Sequence, residues 1–228
     1  MSEAKAKQAI DKAAQAQRQA TRKALAKGAD APKVLELARQ TLVRAERVIA
    51  QVLALMPAPR PIACTAGCPY CCHVRVTVAA PELFLIADYL RRSWGAQARG
   101  LLKRRLANIV SATRNRPEEI RNALRLPCAL LDGEGRCSIH SVRPLSCRAV
   151  VSVDVQACRV AHARRMQGAV PQHAYQALAA DGIGYALYAG LADRGYPIEN
   201  IDLAEGLLRV IEDEGALARW LAQEPIFG

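Results

Sequence analysis

Eight cysteines fall between residues 64 and 158, and none lies in residues 1–63 or 159–228. Chance scatter would rarely leave both flanks empty, so the thiols read as parts of one device. A chain of 228 residues can bury a core without covalent staples, and its cysteine content is far below that of a disulfide scaffold. The opening MSEAKAKQAIDKAAQAQRQ lacks the apolar stretch of a secretory signal. The expected setting is therefore a reducing cytoplasm, where thiols serve metal ligation or redox chemistry before disulfides. The plainer reading, cysteines as small buried hydrophobes, applies most readily to Cys158.

The first cluster runs Cys64-Thr-Ala-Gly-Cys68-Pro-Tyr-Cys71-Cys72-His73. Four thiols in so short a turn can converge on one centre. Because thiolates are soft donors, the candidates are zinc, copper(I) and iron–sulfur clusters. The second cluster comprises Cys128, Cys137, Cys147 and Cys158, with His140, Arg143, Pro144 and Arg148 between them. Three partial matches fail on context. Cys68-Pro-Tyr-Cys71 spells a glutaredoxin-like redox pair, but no βαβ unit surrounds it. Cys64-x3-Cys68-x2-Cys71 has the spacing of a radical S-adenosylmethionine motif, but the strands of a βα barrel are missing. A two-Cys, two-His finger needs paired histidines that His140 and His162 do not supply.

The whole pattern is more specific. Cys-x3-Cys-x2-Cys-Cys, then Pro-Cys, then Gly-x-Cys-Ser-Ile-His-x-x-Arg-Pro-x-x-Cys-Arg resembles the YkgJ-type cysteine-cluster family, whose members are described as zinc- or iron-chelating. The resemblance covers roughly residues 62–160. It rests on seven cysteines and implies metal ligation by Cys64, Cys68, Cys71, Cys72, Cys128, Cys137 and Cys147, with Cys158 added as an eighth candidate ligand. The family usually carries Tyr where His140 stands, which leaves His140 either an extra ligand or a packing residue. One branch, the flagellin lysine methylases, is associated with an iron–sulfur cluster. Nothing in residues 1–60 or 160–228 ties this chain to that branch.

Two functions compete. In the first, an iron–sulfur cluster, most simply [4Fe–4S], is held by Cys64, Cys68 and Cys71 with a fourth thiolate from Cys72 or the second cluster. Adjacent Cys71 and Cys72 are expected to point apart and to serve one iron unequally. Such a centre would be a redox or cofactor-binding site, with Arg143 and Arg148 near it to tune a potential or fork onto a carboxylate. In the second, the ion is zinc, the role is structural, and the module is a binding platform for protein or nucleic acid. The wide spacing 128–137–147–158 departs from the short pairs of structural zinc and puts iron–sulfur first. Whether the chain is an enzyme is left open.

Outside the cysteines the pattern is helical. Asp30 and Pro32 open a helix whose apolar stripe from Val34 to Met56 stops at Pro57. Further helices are expected at 81–92, 96–112, 117–124, from 171 through Leu191, 203–211 and 216–221, with a short strand at 149–153. Gly182 and Gly184 are weak points. The expected fold is mainly α, with helices around a loop-rich metal-binding centre and little or no β. Residues 1–32 read as a basic, Ala-rich tail, helical or disordered, and residues 33–228 as one domain. Of the net charge of +11, +7 falls in residues 1–60. The arm holds no aromatic residue to stack on bases, so a solvated helix with little to bury is preferred to a nucleic-acid arm or a transit peptide, and a protein partner stays open. No apolar run reaches the length of a membrane span.

Overall fold

Segments rich in Ala, Leu, Arg and Lys favour helix, and prolines and glycines punctuate them. The computed structural model describes residues 2–165 and 169–227. Among these residues lie α1 (Ser2–Ala24), α2 (Ala31–Leu55), α3 (Ala80–Ser93), α4 (Ala96–Thr113), α5 (Glu118–Ala123), α6 (Leu145–Ala149), α7 (Val155–Ala163), α8 (Ala174–Ala192), α9 (Leu203–Glu212) and α10 (Ala216–Leu221). The only ladder among them pairs β1 (Thr77–Val78) with β2 (Ile201–Asp202), antiparallel. The fold is mainly α, as the sequence implies. No helix in the described residues is long and apolar enough to cross a membrane.

The caps read from sequence are in place. Asp30 accepts a hydrogen bond from Lys33 N at 2.9 Å, and the α2 stripe of Val34, Leu35, Ala38, Leu42, Ala45, Val48 and Val52 is buried. Asp202 starts α9 by accepting from Ala204 N at 3.0 Å and Glu205 N at 3.1 Å. The core joins α2, α3, α8, α9 and α10 around Leu83, Phe84, Ile86, Leu187 and Trp220.

Three expectations change. The N-terminal segment is helical, but the idea that it buries little is overturned. Helix α1 packs along α8 and α2, with Ala6, Gln17, Thr21 and Leu25 buried. Its inner face is alanine and short polar groups, which a search for large apolar residues passes over. Gly182 and Gly190 of α8 make the close approach feasible. A Cβ at Gly190 would lie 2.4 Å from Thr21 Cβ, and one at Gly182 would lie 3.0 Å from Ile10 Cγ2. The supposed weak points, Gly182 and Gly184, lie within the unbroken helix α8.

The short strand at 149–153 is absent. Ala149 ends α6, and only Ser152 makes a bridge, to Gln172. The loop-rich second cluster also holds two helices, α6 and α7, too short to announce themselves by period.

Candidate metal centre

Two glycine turns bring the cysteine clusters together. Gly67 has φ +84° and Gly135 φ +74°, in the left-handed region that favours glycine. A Cβ at Gly135 would stand 3.4 Å from Gly67 O and 3.7 Å from Pro69 Cβ, so the turns lean on each other. The Gly135 turn is shaped by Asp132, whose Oδ1 accepts from Glu134 N at 2.9 Å and Arg136 N at 2.8 Å. Leu131 and Cys137 then form an isolated bridge. A 3₁₀ turn at Tyr70–His73 carries Cys71 and Cys72, and Cys128 N donates to Cys72 O at 2.8 Å. Short helix α6 presents Cys147. Asp154, accepting from Ala157 N at 2.9 Å, opens α7, which carries Cys158.

All eight cysteines are free thiols, with Cys64 and Cys71 exposed and the others half-buried. They fall into two groups by which thiols act on one another. Cys72, Cys128, Cys137 and Cys147 form one group with Cys71. Cys64, Cys68 and Cys158 form the other, and Cys68 also feels Cys71. Cys71 thus stands between the two. Adjacent on the 3₁₀ turn, the Cys71 and Cys72 thiols act on each other electrostatically.

The electrostatics follow from burial and from these contacts. Cys71 is lowered to about 7, chiefly by the neighbouring Cys72 thiol, with Arg143 helping against burial. Cys72 is raised by the same neighbour and then by burial. Burial raises Cys128 to about 11 and pushes up Cys68, Cys137 and Cys147, neighbouring thiols adding to it. The thiols form open groups. Among the described residues, no three His, Cys, Asp or Glu side chains are set to hold a single ion as they stand.

The charged residues divide by role. Arg143 is the cation that acts on Cys71, Cys137 and Cys147, and its Nε is buried with no partner among the described residues. Arg148 is buried and committed elsewhere. It donates to Arg143 O and Ser141 O, both at 3.0 Å, and pairs with Glu46 of α2, so it braces the loop. His140 is exposed and lowered first by Arg143, then by burial.

Buried Glu82 holds the site to the core. Its Oε1 accepts from Leu145 N at 2.8 Å and its Oε2 from Ala79 N at 3.0 Å, so one carboxylate starts both α3 and the Cys147 helix. Glu82→Ala would strand two buried N–H groups at about 1–3 kcal/mol each. The expected result is a fall in Tm of roughly 5–15 °C for a chain of this size, measured by thermal melting.

His162 is a candidate site residue that the search for a two-Cys, two-His finger does not single out. It follows Cys158 by one helical turn, on the same face of α7, and meets His73 edge-on with ring centroids 4.5 Å apart. Its Nε2 is buried with no partner among the described residues. The spacing Cys158-x3-His162 is the signal the sequence offers for it.

A family model named CxxCxxCC and described as "Putative zinc- or iron-chelating domain" matches residues 63–166. That span agrees with the cysteine-cluster resemblance read from the motif. Comparison with curated proteins and with solved structures gave no match.

Proposed function

From the premise that residues 63–166 match the zinc- or iron-chelating CxxCxxCC family, we propose that this chain is a metalloprotein with two neighbouring thiolate sites, and that iron–sulfur is the resident form. The observation that carries the reading is the gathering of eight free thiols into two adjacent groups on an otherwise cysteine-free helical scaffold. Cys72, Cys128, Cys137 and Cys147 make one four-thiolate set. Cys64, Cys68 and Cys158 make the other, completed by Cys71 or by the unpartnered Nε2 of His162. The donor chemistry fits a soft metal centre. The wide spacing 128–137–147–158 departs from the short cysteine pairs of structural zinc and favours a multi-iron core.

An iron–sulfur centre supplies reversible one-electron transfer. The protein's part is positional. The two glycine turns hold the ligand loops together, Glu82 fixes the Cys147 helix, and Arg143 offers a cation and a free N–H beside the thiolates. Such a donor raises a centre's potential and stabilises its ligands. The zinc reading keeps one observation in its favour, since two sets of four donors also match two tetrahedral sites.

Anaerobic purification with visible spectroscopy and metal analysis separates the two. The expected result is a brown protein whose broad absorption bleaches on reduction, with about four irons per filled [4Fe–4S] site. A colourless protein with stoichiometric zinc establishes the structural reading instead. Free thiols with no bound metal defeat both.

A further inference from the structure

The stretch from Tyr89 to Pro117 holds eight Lys and Arg residues and no Asp or Glu. It forms the end of α3, the whole of α4 and the turn that follows. Leu102, Leu106 and Val110 face the core. Gln97, Arg104, Asn108 and Ser111 are exposed on the opposite side, with Lys103 and Arg105 exposed on its two flanks. Few of the charges are met. Arg91 and Arg92 reach Asp88 at 3.8 Å and 3.1 Å, but Arg39 takes the same carboxylate at 3.3 Å. Lys103 pairs with Glu212 at 3.1 Å. Among the described residues, no other acid lies within ion-pair distance of any of the eight. Arg99 donates to Trp94 O at 2.5 Å and Arg105 to Leu131 O at 3.3 Å, but a carbonyl cancels no net charge. Arg104, Arg114 and Arg116 are exposed. Eight cations therefore face two carboxylates, one of them shared with a ninth, and a polyanion would relieve their mutual repulsion.

The neutral residues between the charges decide which polyanion fits. Gln97, Asn108, Ser111 and Asn115 are donors of the kind that contact phosphate oxygens. Leu101 is the one large apolar side chain exposed in the stretch, too little for the apolar centre of a protein interface. Trp94 at its edge is packed against the core, so single-stranded bases find no aromatic to stack on. We propose that the α3–α4 face binds the phosphate backbone of a nucleic-acid duplex without reading its sequence. Helix α4 is about 27 Å long, the rise of about eight base pairs. Arg91 and Arg92 stand at one end of that length, and Arg114 and Arg116 at the other. Helix α1 is also basic, but Glu3 and Asp11 interrupt its lysines, and it serves as the control. Duplex binding of this kind does not depend on which metal the thiols carry.

The test is fluorescence anisotropy of the full-length protein, as purified, with labelled DNA and RNA duplexes of about 16 base pairs, from about 50 to about 300 mM salt. Saturable binding of at least one duplex is expected, equal for unrelated sequences, with log K falling against log salt at a slope of about −4. Arg104→Gln combined with Arg114→Gln should weaken binding about tenfold and make the slope shallower by about two. Both side chains are exposed, so thermal melting should not move. Lys5→Gln combined with Lys12→Gln removes the same charge from α1 and should change the affinity less than about twofold. No duplex binding at the lowest salt overturns the proposal. Equal losses from the α1 and α4 pairs also overturn it, because net charge alone would then be the cause. Tighter binding of polyglutamate, of anionic phosphatidylserine vesicles or of a single strand than of the duplex overturns it in favour of that partner. The ligand series needs no variant, so the outcome stands even if a substitution disturbs folding.

Discussion

Deleting residues 2–24 should strongly destabilise the protein. Helix α1 is bound to the rest by contacts a solvated arm would not make. Gln17 Nε2 donates to Thr41 Oγ1 at 2.8 Å and to Thr21 Oγ1 at 3.0 Å, and Arg44 donates to Gln17 Oε1. Arg18 forks onto Asp193 of the α8 C-cap, both bonds at 2.7 Å, and Arg194 Nε donates to Arg22 O at 2.7 Å. The exposed Arg18 pair adds little in water. The buried hydrogen bonds add about 1 kcal/mol each, and the removal of α1 uncovers apolar surface of α2 and α8 at about 25 cal/mol per Å². A loss of at least about 4 kcal/mol, or roughly 8–16 °C in Tm, should appear on thermal melting. A truncated chain that melts with the full-length one would return α1 to the status of a disposable arm. Gly190→Val supplies the point test. Its side chain would collide with Thr21, so it should destabilise the full chain and be nearly neutral in the truncated one, a coupling that a double-mutant cycle reads directly.

The second large effect is on metal content. Cys147→Ser should strip the metal held by the Cys72, Cys128, Cys137 and Cys147 group and spare the other. Cys158→Ser should do the reverse, and the double variant should retain none. His162→Gln should follow Cys158→Ser in part if its Nε2 completes that set, and should leave the metal untouched if Cys71 does. Metal analysis of each purified variant gives the answer. Loss of all metal from either single cysteine change would mean one shared centre and would end the two-site assignment. Such losses are expected to lower stability as well, because ligand binding free energy is folding free energy.

Much of this was open to reading along the chain. Asp30, Pro32 and the stripe from Val34 to Val52 specify α2, because cap and period are local properties. Asp202 specifies the start of α9 in the same way. Cysteine spacing identified the ligand chemistry and the matching family, since thiolate softness does not depend on the fold. Helices α6 and α7 were not legible. At five and nine residues they are too short to stand by propensity, and α6 is started by Glu82 from a distant helix. The packing of α1 was hidden for a related reason, since the face it presents to α8 and α2 is mostly alanine and polar side chains, with Ile10 its one large apolar residue.

The sequence by itself determined a helical chain with eight soft donors, because residue type, period and capping act over a few residues. Only the tertiary structure decided which thiols come near one another. Bringing Cys72 to Cys128, and Cys68 to Cys158, depends on two glycine turns leaning together, on one buried carboxylate and on a helix started by Asp154. Each of these contacts joins residues far apart in the chain, and their geometry exists only once the core between them has closed.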